Sequence, residues 1–274
     1  MQWQRDIEVL TPLFNRGAYQ DTPELRVPSI RGMVRWWFRE LEYQHLPTNN
    51  REHERRLSEI RAAETVIFGG VRGSGTASRL VFRASNFHCQ RAVPNPPTLL
   101  HDPQKPSPQA AFAPNATFRL EVLSRFGKLP AALQSKAEAA LEVWLLLGAL
   151  GLRANRTGGN VWPVGDTAPK TPEDLRLRLA QVGCRWPVML AGIEVGTTLD
   201  QLRACATDTV NGEAWVFGFA RGRERQASSL KFKVVRLDGC LRLLITAPDQ
   251  RILDEARRAL AGHRCSPETW VALP

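Results

Sequence analysis

The stretch from Glu24 to Leu41 constrains the fold more than any other part of this sequence. Its apolar residues recur at steps of three and four, as expected for the face of a helix that packs on a core. They are Ile30, Met33, Val34, Trp37, Phe38 and Leu41. Pro28 followed by Ser29 is typical of a helix entrance, because a serine side chain accepts from free backbone N–H groups. The pattern predicts a helix that begins near Ile30, with Ser29 as its N-cap.

The same helix carries a row of arginines. Arg31, Arg35 and Arg39 are four residues apart and therefore share one face. Arg26 and Arg31 lie near the N-terminal end, where the helix dipole disfavours cations unless an anion is also bound. Gly32 lowers the helix propensity but lets a ligand approach the backbone closely. A bound phosphate explains both features. The alternative is an ordinary amphipathic helix whose arginines pair with carboxylates elsewhere.

The helix is part of a longer signature of prolines, glycines and arginines. The signature consists of Leu10-Thr11-Pro12-Leu13-Phe14, Gly17-Ala18, Glu24-Leu25-Arg26, Pro28-Ser29-Ile30-Arg31-Gly32 and Arg35-Trp36-Trp37-Phe38-Arg39. It resembles the N-terminal signature of the RAMP superfamily, and within it subunit one of the type III-B CRISPR effector, the Cmr complex. The resemblance implies an α+β fold of two ferredoxin-like (RRM-like) modules packed together, and RNA as a partner.

Composition agrees with such a partner. The chain has 274 residues, enough for one or two domains, and a net charge of +10 from 37 Lys and Arg against 27 Asp and Glu. A polyanion is therefore the natural partner, and arginine forks suit phosphates and bases. The five cysteines form no Cys-x-x-Cys pair, so we expect neither a metal site nor a disulfide framework. We also expect no cofactor, no membrane partner and a cytoplasmic location.

Periodicity along the chain predicts the two modules, at residues 1–165 and 166–274. The predicted elements of the first are a strand through Trp3, Ile7 and Val9, a charged helix over 50–64, strands near Leu80–Ala84 and Phe118–Val122, and a long helix opened by Pro130. Residues 89–115 are rich in proline and predict a long insertion loop. The predicted elements of the second are helices over 172–182 and 198–209, a strand or buried segment over 213–219, a hairpin turning at Asp238-Gly239, and a closing helix from Pro248.

A glycine-rich loop follows the long helix, over residues 148–162. It resembles the glycine-rich loop of RAMP proteins, in which small residues let the backbone approach nucleic acid, while Arg153 and Arg156 supply charge. This sequence departs from the family pattern, since Ala149-Leu150 interrupts the opening glycines and Asn160 replaces the closing one. A P-loop is excluded, because no Gly-Lys-Ser or Gly-Lys-Thr follows and the loop comes after a helix.

Further arginines are candidates by the same resemblance. Arg79 precedes a strand after a glycine-rich turn, and Arg221, Arg223 and Arg225 lie in a segment similar to one in the second half of RAMP proteins. The last three contact RNA or a neighbouring subunit, or are simply solvated. Trp36 either stacks on a base or belongs to the core. The predicted RNA-binding residues are Arg26, Arg31, Gly32, Arg35, Trp36, Arg39, Arg79, Arg153, Arg156, Arg221, Arg223 and Arg225.

Catalytic chemistry has little support in the sequence. A metal-independent RNase needs a base and an acid near the scissile phosphate. Resemblance to RAMP relatives suggests two separate candidates: Asp21, since some relatives cut target RNA with a loop aspartate, and His45, since some process guide RNA with a histidine. We expect a non-catalytic RNA-binding subunit that caps a type III-B CRISPR filament near the 3' end of the guide RNA (crRNA). It would help to hold single-stranded target RNA beside other RAMP subunits. The alternatives are a guide-processing endoribonuclease of the same superfamily and an assembly protein that docks subunits without touching RNA.

Overall fold

The first half of the chain forms a four-stranded antiparallel sheet with helices packed on one face. The structure, a computed structural model, describes residues 1–71, 75–191, 197–207, 214–221, 224–261 and 270–273. The elements of this half are β1 (Gln2–Val9), α1 (Val27–Tyr43), α2 (Asn50–Phe68), β2 (Leu80–His88), β3 (Thr117–Ser124), α3 (Ala131–Leu147) and β4 (Val161–Pro163). The strand order is β2-β3-β1-β4, the βαββαβ arrangement of a ferredoxin-like module with one added helix.

The second half repeats this arrangement. Its elements are α4 (Pro172–Gln181), β5 (Val188–Ala191), α5 (Leu199–Thr207), α6 (Ala214–Phe217), β6 (Phe219–Arg221), β7 (Glu224–Gln226), β8 (Lys231–Leu237), β9 (Cys240–Thr246), α7 (Gln250–Leu260) and β10 (Trp270–Leu273). The sheet order is β10-β5-β9-β8, with β6 and β7 as a separate hairpin. The predicted α+β fold class is confirmed. The division at residue 165 remains a prediction.

The second sheet is buried on both faces, and this joins the two halves. Along β9, Leu243 and Ile245 belong to a core shared with α5 and α7, whereas Leu244 belongs to the core of the first half. The core of the first half includes Trp37 of α1 and Trp144 of α3, both fully buried. The helices of the first half therefore lie between the two sheets, and burial of this apolar surface stabilises both halves together.

Several boundaries differ from the sequence predictions; α2, for example, ends at Phe68 instead of residue 64, and β2 ends at His88 instead of Ala84. α1 begins at Val27, with Arg26 as its N-cap, because Pro28 is accommodated in the first turn. Ser29 lies inside that turn, where its N–H donates to Arg26 O at 3.0 Å, so it is not the cap. The segment over 213–219, predicted as a strand or a buried segment, contains the short helix α6, in which Val216 and Phe217 are buried. α7 begins at Gln250 behind an Asp249 cap.

The proline-rich segment is a long loop, as predicted. Residues 89–115 contain isolated bridges but no helix or longer strand. The loop is attached to the second half, because Arg203 of α5 donates to Pro97 O at 2.7 Å. No helix in the described ranges is long and apolar enough to span a bilayer.

Candidate nucleic-acid interface

The N-terminal turns of α1 present cations to solvent. Arg26 has a side chain that is 44% exposed, and its nearest carboxylate is that of Glu24, with 4.0 Å between Nε and Oε1. Arg31 is exposed and makes no hydrogen bond or ion pair within the described part of the chain. The first turn contains no acidic residue and no side-chain cap. An anion at this end would gain from both the arginines and the helix dipole.

Gly32 lies beside Arg31 and has no packing partner of its own. A Cβ atom added there would meet nothing within 4 Å. Alanine would therefore fit, and it would also favour the helix. The interior of the protein gives no reason for glycine at this position, which agrees with close approach of a ligand from outside.

The two remaining arginines of the row face a carboxylate. Arg35 Nε donates to Glu64 Oε1 of α2, and Arg39 Nη1 donates to the same oxygen at 3.2 Å. Glu64 is buried, whereas the two arginine side chains are about one-third exposed, at 34% and 36%. The alternative drawn from the sequence, pairing with carboxylates elsewhere, therefore applies to these two arginines. It does not apply to Arg31.

Trp36 lies at the junction of the two halves. Its ring makes edge contacts with Trp37 at 4.9 Å and with Trp186 at 5.8 Å, measured between centroids. Lys231 Nζ lies 4.0 Å from the Trp36 centroid, and burial lowers the pKa of this amine to about 8, partly offset by the charge of Glu40. Trp36 is thus half-buried in an aromatic cluster, and base stacking by this residue remains a prediction. Trp37 is core, as predicted.

The glycine-rich loop reaches the same end of the molecule as the N-terminal turns of α1. Leu152 N donates to Phe14 O at 2.8 Å, and Glu24 N donates to Asn15 O at 2.8 Å. The connection between β1 and α1 therefore touches the loop on one side and leads into α1 on the other. Arg153, next to Leu152, is exposed and has a left-handed backbone with φ 61°. The fold thus brings Arg153 to the same end as Arg26 and Arg31.

The glycines of this loop have a different explanation from the predicted one. A Cβ atom on Gly151 would lie 2.4 Å from Phe14 O, and one on Gly159 would lie 1.9 Å from Leu150 O. Both residues also have positive φ, of +86° and +57°. The space that these glycines leave is filled by the protein's own backbone. Their presence therefore says nothing about the approach of nucleic acid.

Arg156 is used inside the protein. It donates to Phe217 O at 2.8 Å and to Ala206 O at 3.4 Å, and its guanidinium carbon lies 4.8 Å from the centroid of Phe232. Burial lowers its pKa to about 10, with a smaller contribution from the charge of Arg153. Arg156 therefore fastens the loop to the second half. Arg156 is therefore not part of the candidate surface.

Asn160 explains the departure from the family's glycine pattern. Its side-chain Oδ1 accepts from Val234 N at 2.7 Å, and its backbone N donates to Thr11 Oγ1 at 2.8 Å. The residue is fully buried. A glycine here would leave the Val234 N–H without this acceptor, so the asparagine serves the contact between the two halves.

Comparison with known proteins gives the family. The model of the RAMP superfamily matches residues 6–162, more than half of the chain. The chain belongs to the RAMP superfamily. It is 37% identical over 79 residues to a Pyrococcus furiosus protein named CRISPR system Cmr subunit Cmr1-2, covering 29% of this chain and 37% of that protein. The aligned region thus spans little more than a third of that relative's length.

Solved structures share the fold of this RAMP protein. Cmr1 from Pyrococcus furiosus in its apo form superposes with a TM-score of 0.60 at 17% identity, covering 90% of this chain and 87% of that one. A chain of the type III-B Cmr-beta complex bound to cognate target RNA gives a TM-score of 0.57 at 11% identity, covering 89% and 93%. At these identities the likeness concerns the fold.

Arg79, another predicted site residue of this RAMP chain, lies away from the entrance of α1. Arg79 Nη2 donates to the carbonyl oxygens of Phe126 at 3.2 Å and Lys128 at 3.0 Å. The backbones of Arg221 and Arg225 lie in β6 and β7, but their side chains are outside the described part of the chain. Arg223 is outside the described residues altogether. For these three the predicted RNA contact remains a prediction.

The two candidate catalytic residues are far from each other. Asp21 is exposed in the connection before α1, where its Oδ1 accepts from Thr22 Oγ1 at 3.2 Å. His45 is exposed just after the end of α1. A helix of 17 residues separates the two positions by about 25 Å. Because Asp21 and His45 are candidates for two different reactions, a catalytic role for either remains a separate prediction. Within the described residues no group of three or more His, Cys, Asp or Glu side chains has a metal-binding arrangement.

The two central strands of the first sheet lack the exposed aromatic rings of an RRM. An RRM stacks bases on aromatic side chains of its sheet. The outward residues of β1 and β3 are Gln2, Gln4, Asp6, Glu8, Thr117, Arg119, Glu121 and Leu123, with no aromatic ring among them. Asp6 is paired with Arg119, whose hydrogen bond lowers the pKa of the carboxyl. On these two strands the resemblance to an RRM is therefore one of topology.

Sequence reasoning missed one residue near the entrance of α1. Tyr19 is 77% exposed, between Arg16 and Pro23, which form a backbone bridge that closes the connection. An exposed aromatic ring beside cations is suited to stacking on a base. The signal in the sequence was a single tyrosine within a polar connection.

Proposed function

We propose that this RAMP protein is a non-catalytic RNA-binding subunit of a type III-B CRISPR ribonucleoprotein. It would cap the filament near the 3' end of the guide RNA and help to hold target RNA, in contact with other RAMP subunits. Three findings support the proposal: membership of the RAMP superfamily, partial sequence similarity to a protein named as a Cmr subunit, and a fold shared with a chain of a Cmr complex bound to target RNA.

The observation that carries the proposal is the open entrance of α1. Arg31 is exposed without an internal partner, and the adjacent Gly32 faces open space. In this proposal Arg26, Arg31 and Arg153 bind backbone phosphates, with the N-terminal dipole of α1 adding to the attraction. Tyr19 offers a ring for one base. Arg35 and Arg39 keep their ion pairs with Glu64 and add positive charge to this surface.

The test is retention of labelled single-stranded RNA by the purified chain and by charge-reversed variants. We expect Arg31→Glu and Arg153→Glu each to weaken binding at least about tenfold at low salt. Each should also lower the magnitude of the slope of log K against log salt concentration by about one, because one phosphate contact is lost. Arg257→Glu, an exposed site on α7, makes the same change of charge elsewhere and serves as the matched control. Melting temperatures should stay within about 2 °C of the original protein, because these are surface sites.

Each other outcome points to a different function. Binding that survives both substitutions would contradict the proposed surface. Cleavage of the RNA in the absence of divalent metal would support the endoribonuclease. An original protein that neither retains nor cuts RNA, yet joins other subunits, would support the assembly role.

A further inference from the structure

The loop between β3 and α3 presents an aromatic ring to solvent at a conformational cost. Phe126 is 70% exposed, and its backbone is left-handed with φ 58°. A bulky residue rarely adopts this conformation, for which asparagine and glycine are much better suited. Neither the strain nor the exposed ring stabilises the fold. Such a residue suggests a function outside the chain's own core.

The loop is held firmly in place by two arginines. Arg79 donates to the carbonyl oxygens of Phe126 and Lys128, on both sides of Gly127. Arg125 donates to Arg79 O through its backbone N at 2.9 Å and to Ser78 O through Nε at 2.7 Å. The ring is thus presented by an ordered turn fastened to the start of β2. This gives Arg79 a positioning role instead of a direct contact.

The charged residues of the described segments that build this patch are all cationic. The guanidinium carbon of Arg125 lies 4.7 Å from the Phe126 centroid, and Lys128 is exposed two residues later. Residues 75–82 and 124–130, which build this patch, contain no Asp or Glu. An aromatic face beside unpaired positive charge matches an unpaired base with its phosphate, since the base offers a flat surface and the phosphate a counter-charge.

This patch is separate from the entrance of α1. Ser124 N donates to Met1 O at 3.1 Å, which places the loop at the start of β1, whereas α1 follows the end of β1. Eight residues of strand separate these two ends by about 25 Å. One molecule of single-stranded RNA can reach both only if it runs along the first half.

We infer that the loop of residues 124–130 is a second contact for single-stranded RNA, where a base stacks on Phe126 and Lys128 neutralises a phosphate. This inference rests on the proposed function, because it concerns the same ligand. It extends the RNA path from the entrance of α1 to the opposite end of the first half. Short oligonucleotides would fill one patch, and longer ones would bridge both.

The first experiment compares Phe126→Asn with Phe87→Asn, in titrations with RNA oligonucleotides of increasing length. Asparagine tolerates the left-handed backbone, so Phe126→Asn should fold at least as well as the original protein. Phe87, 49% exposed on β2, is the matched control. We expect Phe126→Asn to weaken binding of long oligonucleotides about tenfold and of the shortest ones little, because base stacking on one ring is lost. Equal affinity of both variants at all lengths would overturn the inference.

The second experiment maps the contact directly. RNA carrying 4-thiouridine is photocrosslinked to the original protein, and the attached peptides are identified by mass spectrometry. Crosslinks to residues 124–130 as well as to the α1 entrance support the inference. Crosslinks at the α1 entrance alone overturn it while the proposed function stands. Absence of any crosslink and of any binding overturns the proposed function itself. A competition experiment with polyphosphate adds a last outcome. If polyphosphate displaces the RNA completely and Phe126→Asn binds RNA as tightly as the original protein, the contact is charge attraction alone, and the stacking site is overturned.

Discussion

The entrance of α1 and the glycine-rich loop look alike in sequence but are built differently. Both combine glycine with arginine, and both were predicted to hold RNA backbone. At the entrance, Arg31 faces solvent and the space beside Gly32 is open. In the loop, Arg156 donates to two backbone carbonyls, and the space beside Gly159 is filled by Leu150. One region is open to a ligand, and the other joins the two halves of the protein.

The difference shows how a glycine next to an arginine should be interpreted. Glycine is required wherever a Cβ atom would collide, and the colliding group can be the protein's own backbone or a ligand. The two cases differ in where the missing Cβ would point: toward the protein's own backbone or toward open solvent where a ligand binds. Arg153 is exposed, as is Leu152 before it, whereas Arg156 donates to backbone carbonyls inside the protein. Of the two loop arginines, Arg153 is therefore the one that faces solvent.

The largest effect should come from Gly159→Ala. The new Cβ would lie 1.9 Å from Leu150 O in a left-handed conformation, so we expect the free energy of unfolding in urea to fall by about 3 kcal/mol or more. RNA binding by the fraction that remains folded should be nearly unchanged. A variant with normal stability and lost RNA binding would mean that the loop glycines serve the ligand after all, and would remove the contrast between the regions.

Lys231 lies where the glycine-rich loop meets the second half. Its Nζ donates to Asn155 Oδ1 of the loop at 2.9 Å. The unfolded chain keeps this proton up to about pH 10, whereas the folded chain loses it near pH 8, so unfolding takes up a proton between these values. The free energy of unfolding should therefore rise by about 2 kcal/mol more between pH 7 and pH 10 in the original protein than in Lys231→Met.

Chemical denaturation at several pH values measures this difference. Lys170→Met, at an exposed lysine, is the control and should keep the original pH dependence. Parallel curves for the original protein and Lys231→Met would show that the amine is solvated, and that the junction is looser than the contacts indicate.

Glu64→Gln tests the difference between Arg31, which is unpaired in the described residues, and the two arginines that pair with Glu64. The substitution removes the charge that holds Arg35 and Arg39, and we expect a loss of about 1 kcal/mol of stability. RNA binding should stay equal or become tighter, because two cations are released toward the same helix face. Glu59→Gln, at an exposed position on α2, is the control. Weaker RNA binding would mean that Glu64 positions these arginines for the ligand.

The smallest change in stability should come from Gly32→Ala. Alanine meets nothing within 4 Å and favours the helix, so the free energy of unfolding should rise by up to about 1 kcal/mol. If RNA backbone approaches here, the same variant should bind RNA more weakly, even though it is more stable. If Gly32→Ala is more stable but binds RNA as tightly as the original protein, RNA does not approach the backbone at Gly32. That result would argue against an RNA contact at the entrance of α1.

Local patterns in the sequence predicted most of the elements. The apolar stripe of α1 and the Asp238-Gly239 turn, with φ 53° and 75°, depend on residues close together in the chain. The periods of three to four residues in helices and of two in strands show which face of an element is buried. They do not show which other element packs against that face. The start of α1 was misplaced by three residues, because Pro28 is compatible with both the first turn and the residue before it.

Local patterns predicted six of the seven α-helices in the described residues, five strands (β1, β2, β3, β8 and β9), the long proline-rich loop and the family signature. They missed α6 and the strands β4, β5, β6, β7 and β10, because three or four residues are too few to show a period. The partner of each arginine was decided only by the tertiary structure. Arg35 meets Glu64 across 29 residues of chain, and Arg156 meets Phe217 across 61. Such pairs depend on the angle and distance at which separate elements pack, which no local period encodes. For the same reason the sequence could not distinguish the open glycine at position 32 from the filled one at position 159.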